Sequence, residues 1–222
     1  MATIHMMRHG QSLHKQRAQG LPAPRSASTD LGSQQASIFR PPAQPHLIIV
    51  SPMTRTIQTA LIAFQQLLLD EVEVQIWDDL RAASSTAIYN HGLPRADLAA
   101  KFPQFDFSAC RDDWDYEPHS FDDAVARAER VRLRLKDLAC SGAYKNIMVV
   151  LHRIFIAFLV EGKRFDVCEC RSYRFASDDE VDEDRHGSYC DTGVELDFGP
   201  SLLMPVSLVA TGDEGAKTEK AL

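Results

Sequence analysis

Long apolar runs are missing from this 222-residue chain. No stretch reaches the roughly 18 consecutive apolar residues that a membrane-spanning helix requires, so no membrane partner is expected. Residues 1–7 are too short for a signal peptide and lack its basic flank. Cysteine is sparse and odd in number, five in all, without the spacing of a disulfide scaffold. Cys168 and Cys170 would share one face of a strand, but two further ligands at matching spacing are lacking, so no metal site is expected. Reduced thiols in a cytoplasmic protein are the simplest reading. A broad basic surface is lacking too: 24 Lys and Arg stand against 31 Asp and Glu, a formal charge of −7. Nucleic acid is therefore not an expected partner. Most of that charge lies in one run, Asp178, Asp179, Glu180, Asp182, Glu183 and Asp184, offset by Arg185.

What is present suits a globular fold. The hydrophobic fraction is 45% and the charged fraction 25%, which excludes disorder and fibrous repeats. The length predicts one domain over residues 1–210, with a polar tail at 211–222 that frays. Residues 176–191 are polar and acidic without an apolar period, and read as a mobile insertion between late strands. Apolar, β-branched runs predict strands at 3–7, 46–50, 72–77 and 146–151, with less regular ones at 165–175 and 203–210. Residues 54–69 place Ile57, Leu61, Phe64 and Leu68 on one helical stripe, with Pro52 suited to a first turn. Residues 121–138 place Ala124, Val125, Ala128, Val131, Leu135 and Leu138 on one face and charges on the other. Shorter helices are predicted at 30–39 and 93–101, and a loop at 21–28. The alternation predicts an α/β fold, a three-layer α/β/α sandwich with a mostly parallel central sheet.

The sharpest chemical signal is the first strand running into Arg8-His9-Gly10-Gln11-Ser12. Open α/β sheets bind ligands at the carboxyl ends of their strands. There Arg offers a planar fork of donors to phosphate oxygens, and Gly lets backbone amides approach. Ser51-Pro52-Met53-Thr54-Arg55-Thr56-Ile57-Gln58-Thr59-Ala60 opens the second strand-to-helix junction, and Val150-Leu151-His152 closes a later buried strand. In order and spacing, over residues 3 to 175, these pieces resemble the histidine phosphatase superfamily, the phosphoglycerate-mutase-like fold. Residues 102–107 and 168–172 are similar to the branch found in fungi.

The resemblance implies His9 as a nucleophile that takes up a phosphoryl group, with Arg8, Arg55 and His152 around the phosphate and no cofactor or metal. The chain departs from the family at four places. Ala82 stands where a glutamate usually serves as general acid, and Lys15, beside His14, replaces an asparagine. Arg153 replaces the glycine that usually follows the second histidine, and Tyr89-Asn90-His91-Gly92 replaces an acidic turn.

Three readings follow for a small anionic or carbonyl-containing substrate. The first is hydrolysis of a phosphate or diphosphate ester, with Asp78, Asp79 or His91 recruited as acid or a leaving group that needs none. The second retasks the pocket for proton transfer by His9 or His152, as an isomerase, cyclase, lyase or aldolase-like enzyme of secondary metabolism. The third is binding of an anion or a partner without turnover. Lys15 is a further candidate anion ligand; His14, His91 and Arg153 are candidates for the rim, though solvated loops explain them as well. Asp78 and Asp79 also suit an exposed turn, Ser51 a helix cap, and Trp77 and Trp114 either core packing or an apolar substrate wall. The oligomeric state is not legible.

Overall fold

The computed structural model describes residues 1–12, 27–83, 91–115, 120–181, 186–188, 195–197 and 201–206. Strands β1 (Thr3–Arg8), β2 (Leu47–Val50), β3 (Glu73–Ile76), β4 (Asn146–Leu151), β5 (Cys170–Phe175) and β8 (Leu203–Pro205) form one sheet in the order β3-β2-β4-β1-β5-β8. A separate pair, β6 (His186–Ser188) and β7 (Glu195–Asp197), is antiparallel. Helices α1 (Asp30–Ser37), α2 (Thr54–Ala63), α3 (Gln65–Leu69), α4 (Arg95–Lys101), α5 (Phe121–Cys140) and α6 (Arg153–Ile156) complete the chain.

Alternation along the central strands explains the layers. Leu47 and Ile49 of β2 and Ile147, Val149 and Leu151 of β4 face a core shared with Ala124, Ala128, Val131 and Leu135 of α5. Their neighbours Ile48, Val50, Met148 and Val150 face the opposite core, with Ile57 and Ala60 of α2. A strand covered by helices on both faces must be apolar at every position, which is why β4 reads as an unbroken hydrophobic run.

The β1–β4, β4–β2 and β2–β3 pairings are parallel, while β5 pairs antiparallel with both β1 and β8. The sheet is thus mixed, parallel over four strands. After β4 the chain stays at the carboxyl end of the sheet and re-enters beside β1 with Cys170 opposite Met7, so β5 runs antiparallel. The turn before β5 includes Cys168 at φ 57, so the strand predicted from residue 165 begins at Cys170.

Two helix expectations are corrected. The single helix predicted over 54–69 breaks at Phe64 (φ −117, ψ 22), whose buried ring meets Phe39 edge-on at 5.8 Å. Val125 is exposed, whereas Arg127 and Arg132 of the same helix are buried. The acidic segment carries a short 3-10 turn, Asp178–Glu180, pinned by Arg174 to Glu180 at 2.6 Å, and the β6–β7 pair follows it. Of the two alternatives for Trp77 and Trp114, core packing is the one observed, both being buried. The tail at 211–222 lies outside the described residues.

Gly32 shows how closely α1 packs on the segment after β1. Thr29 caps α1 by accepting from the Gly32 amide at 2.9 Å, and a Cβ at Gly32 would stand 2.0 Å from the Gln11 carbonyl oxygen. Alanine ordinarily stabilises a helix relative to glycine by about 1 kcal/mol. Here a backbone clash overrides that gain, and Gly32→Ala is expected to cost about 3 kcal/mol. The melting temperature should fall by roughly 6–12 °C in a thermal melt. An unchanged or raised value would show that the 9–12 segment shifts freely.

Candidate active site

Parallel register brings three strand ends to one edge. Arg8 pairs with Leu151, Val50 pairs with Val150, and the His9 amide donates to the Leu151 carbonyl at 3.1 Å. Arg8 and His9 from β1, Ser51 from β2 and His152 from β4 therefore leave the sheet side by side. The first turn of α2 adds Arg55 to the same place. All five are buried.

Hydrogen-bond partners assign the tautomers. His9 Nδ1 donates to the Gly10 carbonyl at 2.6 Å, which leaves the Nε2 lone pair free to accept from Arg55 Nε at 3.2 Å. His152 Nδ1 meets Arg55 Nη2 at 3.1 Å, and a guanidinium has only donors, so this nitrogen also carries a lone pair. His152 Nε2–H then donates to Ser51 Oγ at 2.9 Å. Arg55 thus joins both imidazoles, whose centroids are 5.2 Å apart. Thr59 steadies the arrangement: its Oγ1 accepts from the Gly10 amide at 3.0 Å and donates to the Arg55 carbonyl at 2.7 Å. Arg8 Nη1 donates to the Phe165 carbonyl at 2.8 Å, while its buried Nε has no hydrogen-bond partner among the described residues.

The site is cationic and holds the His152 imidazole neutral. Burial foremost, then Arg55, His9, Arg127 and Arg8, holds the His152 pKa well below that of a free histidine. Burial, then Arg153, lowers the Arg8 pKa to about 10, leaving it charged at neutral pH. Such a hole favours an incoming anion.

The depressed His152 pKa sets an acid limit on stability. His5, buried on β1 between Ser172 Oγ at 2.8 Å and Asn146 Oδ1 at 3.3 Å, also has a lowered pKa, chiefly through burial. Below about pH 6.5 the unfolded chain takes up protons that the folded rings refuse. Stability is therefore complete above that pH and is lost as pH falls through the folded values, by at most about 1.4 kcal/mol per unit for each ring. Melting temperature should decline between pH 6.5 and 5.5; a flat or rising trend would contradict the depressed values.

Several predicted residues are not joined to the histidines. Asp78 pairs with Arg111 at 3.1 Å and Asp79 with Arg130 at 2.8 Å, at the 3-10 turn Asp78–Leu80. His91 Nδ1 lies 3.3 Å from Asp115, which also accepts from the Gly92 amide. His14 and Lys15 lie outside the described residues. Ser51 does not cap α2, whose N-cap is Met53, and orients His152 instead.

Arg127 is a participant that the sequence reading missed. Its Nη2 donates to the Ala82 carbonyl at 3.1 Å, its Nη1 to the Asp79 and Arg81 carbonyls at 2.8 and 3.1 Å, and its Nε to Asp123 at 2.8 Å. Arg81 shares the same Asp123 oxygen at 2.9 Å. Spacing carried a signal: Arg127 lies three residues after Ala124 and four before Val131, on the buried stripe. Among the described residues no group of three His, Cys, Asp or Glu side chains could hold a metal ion, and no helix is long and apolar enough to cross a membrane.

Comparison with known proteins bears on this geometry. The chain is 31% identical to a Schizosaccharomyces pombe protein described as a probable phosphatase, over 50% of this chain and 54% of that one; it thus spans about half the length of the relative. The fold is similar to the Bombix mori ecdysone phosphate phosphatase in complex with tungstate (TM-score 0.59, 15% identity, 78% of this chain and 89% of that one). It is also similar to the alpha-ribazole phosphatase of Shigella flexneri (TM-score 0.53, 20% identity, 78% and 91%). The profile of the histidine phosphatase superfamily, branch 1, matches residues 4–164, and with His9, Arg55 and His152 gathered at one sheet edge the chain belongs to that superfamily.

Proposed function

We propose that the protein hydrolyses a phosphate or diphosphate ester through a phosphohistidine at His9. The observation that carries this reading is the His9 Nδ1 bond to Gly10, which leaves the Nε2 lone pair beside a guanidinium that also reaches His152. At rest Arg55 occupies that lone pair. An arriving phosphoryl group offers oxygen acceptors to Arg55 and to the spare Nε of Arg8, and so releases Nε2 for in-line attack. The N–P bond forms as the P–O bond breaks, and its electron pair leaves with the ester oxygen. Water then cleaves the N–P bond and returns the lone pair to Nε2. The probable phosphatase of Schizosaccharomyces pombe supports phosphoester chemistry.

Protonation of the leaving oxygen is the missing part. Ala82 has no proton to give, and Asp123, near it through Arg127, has one oxygen occupied by two guanidinium donors. Leaving groups that depart as stable anions are therefore favoured. The test is phosphate release from p-nitrophenyl phosphate together with an acid-labile, base-stable phosphoenzyme. Neither signal over a panel of aryl, acyl and diphosphate substrates would overturn the reading.

The absence of a carboxylate at Ala82 also favours a second reading, proton transfer on a carbonyl-containing substrate without phosphoryl chemistry. That reading predicts a product of unchanged phosphate content. It is overturned if phosphate release and phosphohistidine appear together.

A further inference from the structure

We propose that Arg153 holds the second phosphate of a diphosphate ester whose terminal phosphoryl group is transferred to His9. This inference rests on the phosphotransfer reading above and names its substrate class. Arg153 opens α6 directly after His152 and is half-buried, and among the described residues it has neither a hydrogen-bond partner nor a carboxylate at ion-pair distance. It lines a cleft between α6 and the following turn together with Lys163, Arg164 and a single carboxylate, Glu161. Phe165 links this cleft to the catalytic edge, because it lines the cleft and its carbonyl anchors Arg8. Arg8 itself is buried with Nε unsatisfied. After burial, Arg153 is the largest influence on the Arg8 guanidinium, although Asp166 acts on it in the opposite sense. Both guanidinium groups therefore adjoin Phe165, Arg8 with a donor to spare and Arg153 with no hydrogen-bond partner among the described residues. A substrate with two adjacent anionic groups satisfies both.

The same substrate removes the need for the missing acid. The terminal P–O bond breaks as the bond from His9 Nε2 to phosphorus forms. The electron pair leaves on the bridging oxygen, and the organic phosphate departs as a stable anion beside Arg153 without taking a proton. Water then attacks phosphorus, the N–P electron pair returns to Nε2, and the water's proton passes to the product phosphate or to solvent. An added cation at position 153 and an absent carboxylate at position 82 thus share one cause.

The experiment compares n-butyl diphosphate, n-butyl phosphate and p-nitrophenyl phosphate as substrates of the full chain, with inorganic pyrophosphate and phosphate as calorimetric ligands. Wild type is expected to favour the diphosphate over n-butyl phosphate by roughly 100-fold or more in kcat/KM. Arg153→Gly should lower the ratio of n-butyl diphosphate to p-nitrophenyl phosphate turnover by roughly 10- to 100-fold, with Arg153→Lys between. Pyrophosphate should bind wild type about tenfold tighter than phosphate, and Arg153→Gly should erase the difference. Arg153→Gln, which keeps the side-chain bulk, serves if the glycine variant does not fold. Equal binding of the two anions by wild type, or an unchanged substrate ratio in the variants, overturns the inference. Pyrophosphate bound through Arg153 with no phosphate released from any substrate overturns the phosphotransfer reading and leaves the second anion site standing.

Discussion

Replacing His9 with alanine is expected to lower phosphate release from p-nitrophenyl phosphate by roughly 10³-fold or more, with no phosphoenzyme formed. Among the described residues at this edge, the His9 imidazole is the candidate nucleophile whose lone-pair position is set by a backbone contact, the 2.6 Å bond from Nδ1 to the Gly10 carbonyl. Alanine removes that lone pair and leaves Arg8, Arg55 and His152 to bind the anion, so KM should change far less than kcat. The variant should still bind phosphate, which calorimetry can check. A His9→Ala protein that retains more than about a tenth of wild-type kcat would mean that the phosphoryl group is not carried on this residue.

The second large effect is a gain. Ala82→Glu should raise turnover of n-butyl phosphate by roughly 10- to 100-fold, at or below the low end of what a general acid contributes. The shortfall from a full restoration has a structural cause. Ala82 is buried, and its carbonyl accepts from Arg127, with Arg81 next to it in the chain. Cations this close favour the ionised carboxylate, which cannot donate a proton. The gain should therefore be largest at low pH and fade as the new glutamate ionises. Turnover of p-nitrophenyl phosphate, whose leaving group departs without help, should change little. The measurement is the dependence of kcat/KM on leaving-group basicity: steep in wild type, shallower in the variant. Equal slopes would show that protonation is supplied elsewhere.

The tests separate three parts of the proposed chemistry. A missing nucleophile abolishes the phosphoenzyme, a missing acid steepens the leaving-group dependence, and a misplaced second anion changes the diphosphate preference alone. The Gly32→Ala melt and the acid limb of stability probe the scaffold instead, through the packing of α1 on residues 9–12 and the neutrality of His5 and His152.

Much of the fold was legible because its signals are local. The β-branched runs ending at Val50 and Leu151, and the Ala and Leu spacing of α5, follow from side-chain periodicity alone. Strand ends read this way also locate His9, Arg55 and His152, since residues that follow parallel strands share one edge. Features governed by the return path of the chain were not legible. The antiparallel entry of β5, the break at Phe64 and the β6–β7 pair depend on what each segment meets in space.

Spacings of two to four residues are enough to set the alternation of strand and helix, the two apolar faces of the sheet and the imidazoles and guanidinium groups at the strand ends. Tertiary structure alone decided which nitrogen of each histidine keeps its lone pair, that Arg55 bridges His9 and His152 across a separation of 97 residues from the latter, and that Arg127 lies buried against the Ala82 carbonyl. Asp78 and Asp79 illustrate the same division, for their pairing with Arg111 and Arg130 depends on partners far along the chain. The physical reason is range: periodicity acts within one element, whereas hydrogen bonds and charge pairs act between whichever groups the packed layers bring within about 3 Å.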